Sequence, residues 1–159
     1  MRTLVGIASS RVKGTLYERG DMIDQDYTEI TFPVRYAETD AMGIVYHSNY
    51  IIWFEVGRGD YIRQRGWEYA DLEARGYYLP VSELEARFLA PARYGDLVTV
   101  KTRLEELRSR KMTFAYEVVK ESTGEVLAVG HTEHICTDKM GQVRTIPKEV
   151  REMLRAEVS

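Results

Sequence analysis

The feature that most constrains the fold is one long helical segment followed by four strand-like runs. The helix spans about residues 48–65, and the runs, rich in β-branched and aromatic residues, cover about 78–90, 96–107, 111–121 and 125–137. The turns between the runs are too short for helical crossovers, which predicts an antiparallel meander. With one more strand ahead of the helix, the pattern predicts an α+β domain in which an antiparallel sheet wraps around a long central helix.

The predicted helix has one apolar face and clear end signals. The apolar face predicts packing against a core and is made of Tyr50, Trp53, Phe54, Gly57, Tyr61 and Ile62. Ser48 or Asn49 can cap the first turn, and Gly66 can end the helix. Inside a helix, Gly57 and Gly59 each cost about 1 kcal/mol relative to alanine. We therefore expect another backbone to approach the helix closely at these glycines.

Shorter elements are expected on either side of this pattern. Apolar and polar residues alternate over 27–36, which predicts a half-buried strand. Pro33 has no N–H to donate, so that strand should lie at a sheet edge or carry a bulge. A short strand near 142–145 and a helix over 147–156, with Pro147 in its first turn, complete the chain.

Composition narrows the class of protein. The chain has 159 residues, of which 44% are hydrophobic, so we expect one domain over 27–159 after a loosely ordered extension over 1–26. The net charge of -3 comes from 25 acidic and 22 basic residues mixed along the chain, which argues against nucleic-acid binding. The chain has one cysteine, Cys136, and no apolar run that could span a bilayer or complete a signal peptide. These features predict a cytoplasmic protein.

Residues 36–58, YAETDAMGIVYHSNYIIWFEVGR, carry the most specific motif. The segment resembles the 4-hydroxybenzoyl-CoA thioesterase family, including its YbgC-like branch. The matching residues are Asp40, Gly43, Val45, His47, Asn49, Tyr50, Phe54 and Glu55, followed later by the PARYGD turn at 91–96. With the order of strands, the resemblance covers residues 27–145.

The resemblance implies a hot-dog fold and hydrolysis of an acyl-CoA thioester to a free acid and CoA. Aryl and short-to-medium acyl groups are both open, and an acyl carrier protein thioester is a second form of substrate. Coenzyme A would arrive with the substrate, and no metal or other cofactor is expected. The resemblance also implies a homodimer with edge-to-edge sheets and interfacial sites, often doubled into a homotetramer.

Asp40 is the candidate catalytic carboxylate. It precedes His47 by seven residues, in the loop before a helix N-terminus, where unpaired N–H groups and positive charge concentrate. By resemblance, the His47 N–H polarises the thioester carbonyl, and Asp40 acts as general base or nucleophile. Gly43 would permit the tight turn that leaves Asp40 facing the site. The alternative role for Asp40 is an Asx turn that only holds the loop.

Neighbouring residues are candidates for substrate contacts. Gly43, Val45, Tyr46 and Tyr50 are expected at the site, although Tyr50 is also a candidate for the core. The His47 side chain either touches the substrate or serves as a capping or interface residue. By resemblance, Glu55 helps to hold the acyl group from the partner subunit, and a structural or interface salt bridge is its alternative role.

Two further groups of residues have possible ligand roles. A concentrated basic turn could bind the phosphates of coenzyme A or be a solvated hairpin tip; it is made of Arg108, Arg110 and Lys111. His131 and Glu133 share one strand face while His134 points to the other, so no metal-ligand cluster is expected. Cys136 is expected to be a buried, inert thiol.

Two other functions compete with hydrolysis. A hot-dog hydratase or dehydratase would need a different arrangement of histidine and carboxylate, so the motif disfavours it. A non-catalytic acyl-CoA sensor would bind the ligand and signal through an attached domain, but residues 1–26 are too short for a DNA-binding domain.

Overall fold

The computed structural model describes residues 26–158, whose main elements follow the predicted order. The helices are α1 (Ser48–Arg63), α2 (Tyr69–Ala74) and α3 (Lys148–Arg155). The strands are β1 (Thr28–Pro33), β2 (Val81–Phe88), β3 (Leu97–Leu107), β4 (Lys111–Lys120) and β5 (Val126–Ile135), and a 3-10 turn covers Tyr36–Glu38. The expected extension over 1–26 lies, except for its last residue, outside the described residues.

The five strands form one antiparallel sheet in the order β1-β3-β4-β5-β2. Hairpins join β3, β4 and β5 as predicted, but β2 pairs with β5 at the far edge instead of with β3. The prediction of a four-strand meander was therefore wrong. The predicted α+β architecture, an antiparallel sheet around a long helix, is confirmed.

The segment after β2 explains the error. Leu89 and Ala90 still donate their N–H groups to Leu127 O, and the chain then leaves the sheet at Pro91, which has no N–H. Ala92 accepts a hydrogen bond from Val45 N–H and donates its own N–H to the Tyr50 hydroxyl at the start of α1. These bonds direct the chain past the helix start, from one sheet edge towards the other.

The first strand behaves as expected and a late one does not. Among the described strands, β1 pairs only with β3, so Pro33 ends a strand at the sheet edge, as predicted. The prediction of a strand near 142–145 is wrong, because this segment forms only an isolated bridge, between Val143 and Thr137. The expected C-terminal helix is present and begins at Lys148, directly after Pro147.

Helix α1 packs onto the sheet through Gly57. A Cβ built there would collide with the Thr102 hydroxyl and lie 2.7 Å from Val100 Cγ1, so the predicted close approach occurs at this glycine, but through side chains of β3 and not through another backbone. It is wrong at Gly59, where the nearest atom is the end of the Arg63 side chain at 3.9 Å. Gly59 faces away from the sheet and is only part-buried.

The rest of the apolar face of α1 forms the core. The Phe54 ring stacks on Tyr116 with centroids 4.6 Å apart, in space left by Gly130. Gly66 ends the helix as predicted, with φ +83° and its N–H bonded to Arg63 O. None of the helices in the described part of the chain is long and apolar enough to cross a membrane.

Candidate active site

The loop between β1 and α1 closes on itself around Asp40. Asp40 N–H donates to Ile44 O at 2.9 Å, and Gly43 N–H donates to Asp40 O at 2.9 Å. Gly43 has φ +77°, a conformation that favours glycine, so its predicted role in a tight turn is confirmed. Thr39 and Val45 form a bridge at the base of this turn.

The two carboxylate oxygens of Asp40 have different environments. Oδ1 accepts the Met42 N–H at 2.8 Å, which is the Asx turn considered as an alternative role. Oδ2 has no hydrogen-bond partner among residues 26–158. One oxygen therefore holds the loop while the other is available to a substrate or a water.

A second copy of the same turn shows what is particular to Asp40. Asp138 is also followed by methionine and glycine at the second and third positions, and its Oδ1 accepts the Met140 N–H at 2.9 Å. There, however, Oδ2 pairs with Arg144 at 2.7 Å. The turn itself is thus structural, and of the two copies only the one at Asp40 leaves an oxygen without a described partner next to a helix N-terminus.

The N-terminus of α1 supplies the donors. His47 is the N-cap residue, which corrects the prediction that Ser48 or Asn49 caps the helix. Asn49 instead donates its side-chain amide to Glu38 O and Tyr46 O. No described residue accepts the backbone N–H of His47 or of Ser48. These N–H groups carry the positive end of the helix dipole.

Sequence reasoning missed the residue that anchors this loop, Glu38. Its carboxylate accepts the Trp53 indole N–H at 2.7 Å, the Arg35 backbone N–H at 2.8 Å and Arg35 Nε at 3.2 Å. Its carbonyl accepts Tyr46 N–H at 2.9 Å. Glu38 is buried, at 4% exposure, so it fixes both the start of the loop and its return to α1. It lies inside the motif, but no sequence pattern marks its side chain as buried.

Asp40 and His47 line one open pocket of 390 Å³, which is mainly apolar. The other walls come from the loop, from α1 and from the end of β2, and consist of Met42, Ile44, Val45, Tyr50, Phe88, Leu89, Ala90 and Pro91. The wall formed by residues 88–91 was not predicted, because it depends on β2 lying at the far edge of the sheet.

The structure brings together some of the predicted substrate-binding residues. Val45 and Tyr50 line the pocket, and Tyr50 is at the same time a core residue whose burial raises the pKa of its phenol. Tyr46 packs against the exposed His47 ring, with centroids 4.3 Å apart. Glu55 lies two turns further along α1, in a different pocket, and its carboxylate is 3.8 Å from Arg58 Nη2.

The basic turn lies at the other end of the sheet from the pocket. Lys111 is opposite Ile135, whereas β4 reaches the level of Phe88 near Val118, about 23 Å along the strand at about 3.3 Å per residue. Arg108 pairs with Glu106 at 2.9 Å, and Lys111 pairs with Glu133 at 2.8 Å. Arg110 is exposed. A role for this turn in CoA binding stays a prediction.

The remaining candidates are structural. His134 is buried, with Nε2 2.7 Å from the Thr132 hydroxyl and Nδ1 3.0 Å from Leu79 O, and burial lowers its pKa to about 4. His131 lies on the opposite face beside Glu83, as the alternation predicted. Cys136 is buried, which raises the pKa of its thiol. Within the described part of the chain, no three His, Cys, Asp or Glu side chains are grouped as metal ligands.

Comparison with known proteins identifies the family to which this chain belongs. The family model for the thioesterase-like superfamily matches residues 34–154. The chain belongs to this superfamily, so the predicted hot-dog fold and the predicted class of thioester hydrolase are confirmed.

Individual relatives and solved structures give the similarity in more detail. The putative acyl-CoA thioesterase YneP of Bacillus subtilis is 41% identical over 106 residues, covering 67% of this chain and 76% of that protein. The structure of the DHNA-CoA thioesterase from Staphylococcus aureus is 38% identical, with TM-score 0.71, covering 75% of this chain and 80% of its own. A 4-hydroxybenzoyl CoA thioesterase structure has TM-score 0.73 over 82% of this chain and 99% of its own, but at 19% identity it supports the fold alone.

Proposed function

We propose that the protein hydrolyses acyl-CoA thioesters in the pocket shared by Asp40 and His47. One observation carries this proposal: Asp40 and His47 line the same mainly apolar pocket, and Asp40 Oδ2 and the His47 N–H have no hydrogen-bond partner among residues 26–158. The carboxylate supplies a base or nucleophile, and the helix N-terminus supplies the donor that acyl transfer needs for its oxyanion. The names of the relatives, an acyl-CoA thioesterase and a DHNA-CoA thioesterase, support the same reaction class.

In the proposed reaction, the thioester carbonyl oxygen accepts the His47 N–H. Asp40 removes a proton from a water whose oxygen attacks the carbonyl carbon, and the negative charge that develops on the carbonyl oxygen is stabilised by the helix N-terminus. Collapse of the intermediate breaks the carbon–sulfur bond, and the thiolate leaves and takes up a proton. In the alternative route, Asp40 Oδ2 attacks the carbon itself and the carbon–sulfur bond breaks, so that the CoA thiolate leaves and takes up a proton. Water then hydrolyses the resulting mixed anhydride, which releases the free acid and regenerates the Asp40 carboxylate.

We propose that the active unit is a homodimer formed through β2, with the homotetramer as a further assembly. β2 is an edge strand, and it exposes Val81, Leu84 and Phe88 by 49%, 40% and 50%. No described strand pairs with the outer side of β2, and such an apolar edge favours pairing with a second copy across a two-fold axis. Phe88 also lines the pocket, which would place the active site beside that interface.

In this proposal, coenzyme A enters the site as part of the substrate, and the reaction uses no further cofactor. Arg93 is a second candidate for a phosphate contact besides the basic turn at 108–111. Its Nη1 lies 3.9 Å from the position of a Gly43 Cβ, next to the Asp40 loop. In the described part of the chain its guanidinium has no carboxylate partner.

The test is CoA release from aryl, short-chain and long-chain acyl-CoAs, with Asp40→Asn as the variant and Asp138→Asn as the matched control. Both substitutions keep a turn acceptor for the methionine N–H, but only Asp40→Asn removes the candidate base. We expect kcat to fall by at least about a hundredfold in Asp40→Asn, which corresponds to about 3 kcal/mol, and by less than about threefold in the control.

Two other outcomes would change the proposal. Equal losses in Asp40→Asn and Asp138→Asn would mean that the Asp40 turn is needed only for folding. No hydrolysis of any thioester, with acyl-CoA binding intact, would favour the sensor over the enzyme. A hydratase would instead be recognised by conversion of enoyl-CoA without release of CoA.

A further inference from the structure

The sulfur-containing side chains of the described residues differ in their access to solvent. Met112 and Met153 are buried, and Cys136 is buried as well, which raises the pKa of its thiol and keeps it protonated and unreactive at neutral pH. Met42 and Met140, in contrast, are 73% and 84% exposed. Within residues 26–158, a dissolved oxidant therefore meets these two thioethers first.

The two exposed methionines occupy the same position in the same kind of turn. Each N–H donates to the Oδ1 of an aspartate two residues earlier, Asp40 at 2.8 Å and Asp138 at 2.9 Å. Each methionine is followed by a glycine with positive φ, +77° for Gly43 and +82° for Gly141. Because the turns and the exposures match, the two thioethers should be oxidised at similar rates.

The surroundings of the two turns are different. Met42 lines the mainly apolar pocket of Asp40 and His47, next to the half-exposed Phe88. Met140 is not among the residues that line this pocket. A change in polarity at position 42 therefore alters a surface that faces the proposed substrate, whereas the same change at position 140 alters a turn away from it.

We propose that Met42 is an oxidation site, through which hydrogen peroxide lowers the affinity of the Asp40 pocket for its substrate. This inference rests on the proposed hydrolase function and adds a means of regulating it. The thioether sulfur attacks one peroxide oxygen, so that an S–O bond forms and the O–O bond breaks. The proton of the transferred oxygen passes to the departing hydroxide, which leaves as water. The sulfur is oxidised to a sulfoxide and the peroxide is reduced.

The sulfoxide should affect binding more than folding. Oxidation replaces an apolar thioether with a polar group, and in the free protein its oxygen stays hydrated because the Met42 side chain is exposed. An apolar substrate that fills the pocket would remove this water, and a polar group that loses its hydration without a new partner is costly. We therefore expect KM to rise by about tenfold or more and kcat to change less.

The main test compares two variants, each before and after treatment with dilute hydrogen peroxide. In Met140→Leu, where Met42 is the exposed methionine of the described residues, treatment should lower kcat/KM for hexanoyl-CoA by about tenfold or more. In Met42→Leu, where Met140 takes that place, treatment should change kcat/KM by less than about twofold. Leucine has a similar volume but no sulfur to oxidise. Met1 and Met22 are common to both variants, so they cannot produce the difference.

Peptide mass spectrometry shows which methionines have gained an oxygen. We expect Met42 and Met140 to be oxidised at similar rates, and both much faster than the buried Met112 and Met153. A methionine sulfoxide reductase with a thiol should restore kcat/KM in treated Met140→Leu. Oxidation of Met42 as slow as that of the buried methionines would overturn the proposal. Complete oxidation of Met42 with unchanged kcat/KM would overturn it too.

A polar variant tests the same reasoning without an oxidant. Met42→Gln places an amide of similar length at the pocket and should raise KM for hexanoyl-CoA severalfold, whereas Met140→Gln should leave KM unchanged. Equal values of KM in the two variants would contradict the argument from polarity.

Protection by a bound ligand separates this proposal from the hydrolase function. An amide analogue of hexanoyl-CoA, in which N–H replaces the thioester sulfur, should slow oxidation of Met42 by about threefold or more and leave Met140 unaffected. Such protection in a protein that hydrolyses no thioester would refute the hydrolase and keep Met42 at the ligand site. Hydrolysis that a Met42 sulfoxide does not slow would do the reverse. Oxidation of Met42 at the same rate with and without bound analogue would overturn its place beside the ligand.

Discussion

The bond between Trp53 and the buried Glu38 carboxylate should stabilise the fold and the geometry of the Asp40 loop together. Trp53→Phe keeps an aromatic ring beside Tyr50 and Phe32 but removes the indole N–H. Glu38→Gln keeps the size of the side chain, but its amide nitrogen must face a donor, either the indole or the Arg35 N–H. Each change leaves a buried polar group without its partner.

The expected size of the effect follows from the contacts. A hydrogen bond to a charged group contributes about 1.5–3 kcal/mol, and a buried donor left unsatisfied costs a similar amount. We expect each single variant to lower the free energy of unfolding by about 2–4 kcal/mol, measured by urea denaturation followed by circular dichroism. The double variant should lose less than the sum, by about 1.5–3 kcal/mol, because both changes remove the same bond.

The same bond predicts a pH dependence. Burial by itself raises the pKa of Glu38, but the hydrogen bonds from Arg35 and Trp53 outweigh it and hold the pKa below its ordinary value. The stabilisation is therefore fully present above the ordinary pKa near 4.5 and is lost as the pH falls below it towards the folded-state pKa. Trp53→Phe should make this acid loss smaller.

The effect of these variants on kcat is a second test, because Glu38 does not line the pocket and can affect catalysis only through the loop that it holds. If it positions the loop, both variants should lower kcat by about tenfold to a hundredfold with a smaller change in KM, as small displacements in an active site do. Additive losses of stability, with a coupling below about 0.5 kcal/mol, would refute the argument for one shared bond. Unchanged kcat in folded variants would refute the positioning role.

Three further predictions follow from other contacts. Gly57→Ala should lower the free energy of unfolding by about 1–3 kcal/mol, because the added Cβ meets Thr102. Gly59→Ala should raise it by up to about 1 kcal/mol. Equal shifts of the urea midpoint in the two variants would refute this difference. Burial lowers the pKa of His134 to about 4, so its imidazole is neutral in the folded protein at neutral pH. Its contribution to stability is complete above the ordinary pKa of 6.5 and falls as the pH drops towards 4. His134→Gln should therefore make the free energy of unfolding, measured by urea denaturation, depend less on pH between these values. Arg93→Gln should raise KM for acyl-CoA severalfold but not KM for a truncated N-acetylcysteamine thioester, and equal changes would exclude a phosphate contact.

The sequence determined the local elements and the short loop that carries Asp40. The period of apolar residues defined α1, alternation defined the strands, and Gly66 and Pro147 marked helix ends, because each of these depends on backbone conformations and neighbours only a few residues away. The motif around Asp40 also fixed the short loop, since its closing hydrogen bonds all lie within that stretch.

Tertiary structure decided where these elements meet. Short turns suggested that β2 pairs with β3, but the bonds of Ala92 to Val45 and Tyr50 carry the chain across to the other edge. That crossing makes residues 88–91 a pocket wall and places β2 at an edge of the sheet that the described residues form. Local periodicity cannot distinguish the two edges of a sheet.

Which charged side chains are buried or paired was decided by the tertiary structure alone. Nothing in the sequence marks Glu38 or Arg58 as buried, and the basic turn of Arg108, Arg110 and Lys111 could be either a phosphate site or a solvated hairpin tip, because charge is visible in a sequence and its partners are not. Folding buried Glu38 under Trp53 and Arg58 between two tyrosines, and it paired Arg108 and Lys111 with glutamates. Whether a charge is desolvated depends on side chains far away in sequence, which only the packed structure brings together.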